Sequence, residues 1–131
     1  TNMDEPRMMK NALLVDDEPE ICQLLCNMLR RVGARCEMAH SVAQAKAKLA
    51  TGGYDAVFLD IHLPDGLGYD LIPVAKAANP SARMIAISAM DAERMNAERA
   101  GADLFVPKPF NRDVILRSIQ QLGFSTSSTN G

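Results

Sequence analysis

Two neighbouring acids, Asp16 and Asp17, close the apolar run Ala12-Leu13-Leu14-Val15, and a third, Asp60, closes a second run, Ala56-Val57-Phe58-Leu59. If both runs are parallel strands, three carboxylates meet at one edge of a sheet. Neighbouring strands lie about 4.8 Å apart. Two like charges at that range repel by roughly 3 to 4 kcal/mol at an effective dielectric near 20, so the cluster calls for a cation. Acids also end strands as turn and N-cap residues; the inference therefore rests on all three together and on what else falls at the same edge.

The elements that must position these acids follow from periodicity. After the first run, Pro19 sits where a first helical turn starts, and Ile21, Leu24, Leu25, Met28, Leu29 and Val32 recur on one helical face before Gly33. Cys36 to Ala39 reads as a short strand. Ser41-Val42-Ala43-Gln44 has the form of a capping box opening an alanine-rich helix to about Ala50, stopped by Thr51-Gly52-Gly53. The run ending at Asp60 leads into a loop with Pro64, Asp65, Gly66 and Gly68, then a helix from about Tyr69 to Ala78. Met84 to Ser88 reads as a fourth strand, Asp91 to Ala100 as a fourth helix, Leu104 to Val106 as a fifth strand, and Asn111 caps a last helix. Strands apolar throughout, alternating with amphipathic helices, give an α/β class with a parallel sheet covered on both faces. About five such units suit the flavodoxin-like doubly wound (βα)5 order 2-1-3-4-5, whose switch point lies between the first and third strands. Those are the strands that carry the acids.

Composition narrows the function classes. A chain of 131 residues with 47% hydrophobic content suits one folded domain. Fourteen basic residues stand against sixteen acidic ones, and the longest basic cluster is Arg30-Arg31, which leaves no electrostatic footprint for nucleic acid or an anionic membrane. No apolar run reaches the roughly 18 residues of a membrane span, and Thr1 to Lys10 lacks a signal-peptide core; a cytoplasmic location is expected. The three cysteines, Cys22, Cys26 and Cys36, read as reduced thiols, since Cys22 and Cys26 have neither His40 nor His62 nearby in sequence to complete a zinc site. The polar end from Ser125 to Gly131 reads as a linker or disordered tail.

Three more residues fall at the acid edge: Ser88 after the fourth strand, Lys108 after the fifth, and Phe105 within the fifth. Asp16-Asp17, Asp60, Ser88 and Lys108-Pro109, with Pro64 and Gly68 four and eight residues past Asp60, resemble the receiver domain of two-component response regulators. The resemblance covers about residues 10 to 123, leaving 1–9 as an N-terminal extension and 124–131 as a flexible tail or linker.

The resemblance implies that Asp60 is the phosphoacceptor, taking a phosphoryl group from a sensor histidine kinase or a histidine phosphotransfer protein. It implies Mg²⁺, with Mn²⁺ able to substitute, held by Asp17, Asp60 and the backbone carbonyl of His62, with Asp16 acting through a water; such sparse all-oxygen sites suit magnesium. Lys108 and Ser88 would hold phosphoryl oxygens, and the family pattern makes the Lys108-Pro109 bond cis. Ser88 and Phe105 would form the switch, biasing the surface of the fourth helix, fifth strand and fifth helix, with Met90, Arg94, Glu98, Arg112 and Arg117 as the candidate partner face. The implied activity is self-catalysed phosphoryl acceptance and autodephosphorylation, not enzymatic turnover, in a monomer or phosphorylation-dependent dimer serving an output domain or partner that the sequence does not name.

Each residue also has a plainer structural reading: Lys108 as a surface lysine, Ser88 as a helix cap, Phe105 as core, Glu18 as a favourable charge in its helix's first turn. Two departures from the family pattern stand out. His62 is bulkier than the usual small polar residue two past the acceptor, and Leu67 replaces a frequent Asp or Asn before Gly68. His62 and Met90 flank the path of attacking water and so bear on phosphoryl lifetime. A haloacid dehalogenase-type phosphatase needs a second acid where His62 stands, and a flavodoxin-like carrier would meet repulsion from Asp16-Asp17-Glu18. A phosphorylation-independent interaction scaffold is the remaining alternative.

Overall fold

The computed structural model describes residues 7–126. Five parallel strands, β1 (Asn11–Val15), β2 (Arg35–Ala39), β3 (Ala56–Asp60), β6 (Arg83–Ser88) and β7 (Leu104–Pro107), form one sheet in the order β2-β1-β3-β6-β7. Counting these strands alone gives the expected 2-1-3-4-5. Five helices connect or follow them: α1 (Pro19–Arg30), α2 (Val42–Thr51), α3 (Leu71–Ala78), α4 (Glu93–Ala100) and α5 (Arg112–Gln121).

The apolar strands divide their side chains between two faces, as a period of two requires. Ala12, Leu14, Phe58, Ile85, Ile87 and Val106 pack with Cys22, Leu25 and Leu29 of α1 and Ile115 and Ile119 of α5. On the other face Leu13, Val15, Val57, Leu59 and Met84 meet Val42, Ala45 and Leu49 of α2 and Leu71, Ile72 and Ala75 of α3. Both faces are dry, so no polar residue interrupts β3 until Asp60, and the carboxylates appear only where the strands run out.

Four features differ from expectation. A small antiparallel hairpin, β4 (His62–Leu63) with β5 (Gly66–Leu67), occupies the loop after β3, and a 3₁₀ turn over Gly68–Asp70 precedes α3. The helix expected from Asp91 begins at Glu93. The packed chain also reaches past 10–123. Arg7 and Phe124 form a parallel bridge, Met9 and Phe124 are buried in the α1/α5 core, and the Arg7 guanidinium lies 4.6 Å from the centre of the Phe124 ring. Of the expected extension and tail, 1–6 and 127–131 lie outside the described residues.

The hairpin is pinned to α2 by a cap from outside that helix. Ser41 Oγ accepts from the Gln44 N–H at 3.1 Å, as the capping-box pattern requires, while the Gln44 side chain accepts from the His40 N–H, one residue before the cap, at 2.9 Å. Asp65 accepts from the N–H groups of Val42 (2.7 Å) and Ala43 (3.0 Å). These donors have no partner within the helix, and their bonds hold the Asp65 carboxyl below its ordinary pKa. A depressed carboxylate pKa adds stability above the unfolded value and loses it as pH falls through the folded one. Asp65→Ala is therefore expected to lower the thermal midpoint at neutral pH, with the gap to wild type closing in strong acid, as melts at the two pH values would read.

Among the described residues, no helix is long and apolar enough to cross a membrane.

Candidate functional site

The strand ends converge around one ammonium. Lys108 Nζ lies 3.0 Å from Asp16 Oδ2, 3.4 Å from Asp60 Oδ2 and 3.7 Å from Glu18 Oε1. Asp16 and Asp60 are buried, at 2% and 8% exposure; two carboxylates this dry need compensation. Each also accepts a backbone N–H two residues on: Glu18 N to Asp16 Oδ1 at 2.9 Å, and His62 N to Asp60 Oδ1 at 3.2 Å. Lys108 is set by the sheet, its own N–H bonding Ser88 O at 2.9 Å, and the Lys108-Pro109 bond is cis.

The charges pull against one another. Burial raises the Asp60 pKa above the ordinary carboxylate value, and the Asp16 charge adds to this, while Lys108 and the His62 N–H oppose it without prevailing. For Lys108, burial works to lower the pKa, but the Asp16 and Asp60 carboxylates overcome it and the net shift is upward. At neutral pH one full cation thus faces an excess of acid.

That excess sits toward solvent. Asp16, Asp17 and Glu18 bring one carboxylate oxygen each within 4.8 Å of one another, and Asp60 is joined to this group through Lys108. Every donor is a hard oxygen, which suits Mg²⁺. The nearest soft candidate is disqualified: Cys22 Sγ lies behind Asp16, 3.6 Å from its carbonyl oxygen, and burial pushes its thiol up to about 11. The three cysteines are free.

The remaining expected residues divide. Ser88 is buried at the end of β6, and its Oγ accepts the Met90 N–H at 3.0 Å, a turn-forming bond rather than one to an acid. Phe105 is buried with Ile61, Ala86 and Ala97, with the Arg94 guanidinium 4.7 Å from its ring centre. The His62 side chain leaves the acids and reaches Glu93 at the start of α4, Nε2 to Oε2 being 3.5 Å. Tyr69 donates its hydroxyl to the same Glu93 carboxylate, which Asn96 also contacts; the Tyr69 bond is the leading cause that holds Glu93 below its ordinary pKa.

Sequence reasoning favoured a helix-end role for Glu18 over a metal role, yet its carboxylate belongs to the cluster and its N-cap position shows no side-chain capping bond. It weighed His40 only as a zinc partner too far along the chain from Cys22 and Cys26, whereas its Nδ1 lies 3.9 Å from Cys22 Sγ and 2.8 Å from Asp16 O. The available signal for both was position: Glu18 follows the acid pair directly, and His40 follows the strand adjacent to it.

Gly68 shows why the loop after Asp60 needs a glycine. Its N–H bonds Ile61 O at 2.7 Å, and a Cβ there would stand 2.3 Å from Asp60 O and 2.7 Å from Leu59 Cδ1. Both neighbours are fixed, one being backbone and the other buried core. Gly68→Ala is expected to destabilise the fold by about 1 to 3 kcal/mol, the usual range for overpacking, in urea unfolding, and to displace Asp60 with it.

Known proteins share this arrangement of elements. The family profile described as response regulator receiver domain matches residues 12–120. The swarming motility regulation protein RssB of Serratia marcescens is 34% identical over 102 residues, covering 76% of this chain and 47% of that protein; the chain spans about half the length of that curated relative. Among solved structures, response regulator TrrA of Thermotoga maritima in complex with Mg²⁺-BeF is 32% identical with a TM-score of 0.77, over 87% of this chain and 99% of that one. The receiver domain of a sensor histidine kinase from Pseudomonas aeruginosa, with magnesium coordinated in its active-site cleft, is 29% identical with a TM-score of 0.75, over 87% and 97%. With the profile spanning nearly the whole sheet and the lysine drawing two strand-end aspartates together, the chain belongs to the response regulator receiver domains of two-component systems.

Proposed function

We propose that this receiver domain accepts a phosphoryl group on Asp60 from a phosphohistidine of a sensor histidine kinase or histidine phosphotransfer protein. The observation that carries the reading is Lys108, held within 3.4 Å of Asp60 and 3.0 Å of Asp16 at a sheet edge crowded with carboxylates. Asp60 supplies the nucleophilic oxygen: an O–P bond forms, the N–P bond of the phosphohistidine breaks, and the imidazole leaves with a proton. Lys108 places its charge beside the attacked group, and Ser88, on turning from Met90 N, offers a hydroxyl to another oxygen. Charge developing on the transferred group is thus met by the Lys108 ammonium already in place and by a Ser88 hydroxyl one rotation away.

Asp17, Asp60 and the His62 carbonyl would hold Mg²⁺ or Mn²⁺, with Asp16 contributing through water; the ion supplies charge neutralisation for the phosphoryl oxygens. The magnesium in the cleft of the related P. aeruginosa receiver domain supports this reading.

The added phosphoryl charge, about −1.5 to −2, reaches Ser88 and Phe105 first. Phe105 underlies Arg94 of α4, so its movement alters the exposed face of α4, β7 and α5, where Met90, Arg94, Glu98 and Arg117 are exposed; Arg112, also expected there, instead lines a hollow with Met28, Arg31 and Val32 on the α1 side of α5. That face controls an output domain or partner in the cytoplasm. The domain turns over no substrate other than its own phosphoryl group.

The test is incubation with acetyl phosphate, in Mg²⁺ or in chelator, followed by intact mass. One phosphoryl adduct in Mg²⁺ and none in chelator is expected; no adduct in Mg²⁺ would overturn the proposal.

A further inference from the structure

We infer that His40 is a positioning residue for the acid pair: its ring N–H fixes the Asp16 carbonyl and thereby aims Asp16 and Asp17 at the ion. This rests on the reading of the site given above.

His40 follows the last residue of β2, the strand beside β1, and so lies at the same sheet edge as the acids. Its Nδ1 stands 2.8 Å from Asp16 O. A carbonyl only accepts, so this contact requires the proton on Nδ1. The Asp16 N–H in turn donates to Ala39 O at 3.0 Å. Ala39, which ends the neighbouring strand, and His40, which follows it, thus grip the peptide groups on either side of Asp16. The carbonyl that His40 holds belongs to the Asp16–Asp17 peptide unit. That unit is planar, so fixing its oxygen fixes the plane from which the Asp17 side chain departs.

His40 is itself secured, its backbone N–H bonding Gln44 Oε1 of α2 at 2.9 Å. Cys22 also lies near the Asp16 carbonyl, at 3.6 Å, but a thiol is a weak donor and does not replace the ring. Asp17 is exposed and its side chain makes no hydrogen bond or ion pair among the described residues, so its direction depends on the backbone beneath it. Outer groups that orient metal ligands typically contribute about 10- to 100-fold in metal affinity.

The experiment is Mg²⁺ titration by calorimetry of the full chain as wild type, His40→Ala and His40→Asn, with thermal midpoints taken in chelator. His40→Ala is expected to weaken Mg²⁺ binding about tenfold or more. In His40→Asn the amide Nδ2 takes the place of Nδ1, and affinity is expected to return to within about threefold of wild type, although the two variants melt alike without metal. Equal affinity in His40→Ala and wild type would overturn this inference alone, as would an Asn variant as weak as Ala. Absence of binding in wild type would overturn the underlying reading of the site.

Discussion

Asp60→Asn is expected to take up no phosphoryl group from acetyl phosphate, and to unfold at a higher temperature than the wild type at neutral pH. The first outcome follows from chemistry: an amide offers no carboxylate oxygen for the O–P bond, and among the described residues no other carboxylate is held by both the Lys108 ammonium and the His62 N–H. The second follows from the direction of the Asp60 shift. Burial, reinforced by Asp16, raises its pKa in the fold. An acid whose pKa is raised by folding destabilises the native state above that pKa, and the penalty is relieved as pH falls through the folded value toward the unfolded one. The isosteric amide removes that penalty at pH 7. Labelling by intact mass and melting by circular dichroism read the two effects separately. Equal labelling of variant and wild type would refute the acceptor assignment, while a lowered midpoint would show that the Lys108 contact outweighs burial.

Lys108→Ala should move two quantities in opposite directions. Phosphoryl uptake should slow by about 10²- to 10³-fold, the loss typical when one preorganised charge-stabilising donor is removed. Mg²⁺ affinity should instead rise, by about tenfold, because the ammonium that now lies 3.0 Å from Asp16 and 3.4 Å from Asp60 repels a dication competing for the same oxygens. Time courses at saturating Mg²⁺ give the first number and calorimetry the second. If affinity fell together with rate, Lys108 would be acting through the fold rather than through its charge. Chemical denaturation distinguishes these cases, since leaving Asp16 and Asp60 unpaired also weakens the native state.

Much of this was legible in the chain itself, for a physical reason. A sheet covered on both faces writes its inner strands as apolar runs, so β1, β3 and β6 announce themselves and the acids of the site stand where the runs of β1 and β3 stop, whereas the edge strand β2 alternates the exposed Arg35 and Glu37 with the half-buried Cys36 and Met38. Capping residues did the same for α2 and α5, where Ser41 and Asn111 accept the expected N–H groups. Short or isolated features carried no period to read. The strands of the β4–β5 hairpin are two residues each. Met9, beside Met8, and Phe124, between Gly123 and Ser125, belong to no periodic run, and their burial arises where the segments around Arg7 and Phe124 meet. Gly68 was noticed by spacing alone, and its clash distance to Asp60 O exists only in three dimensions. Glu18, His40 and Glu93 act through residues distant in sequence, Lys108, Asp16 and His62 respectively, a relation that local pattern does not encode.

The cluster of Asp16, Asp17 and Glu18 raises a sharper question about the site, since Asp60 reaches it through Lys108. Calorimetric Mg²⁺ titration of wild type against Asp60→Asn answers it most directly. If one divalent ion is shared between the ends of β1 and β3, wild type binds a single Mg²⁺ saturably and Asp60→Asn weakens that binding about tenfold or more. Undiminished affinity in Asp60→Asn, or no heat of binding in wild type, would contradict it.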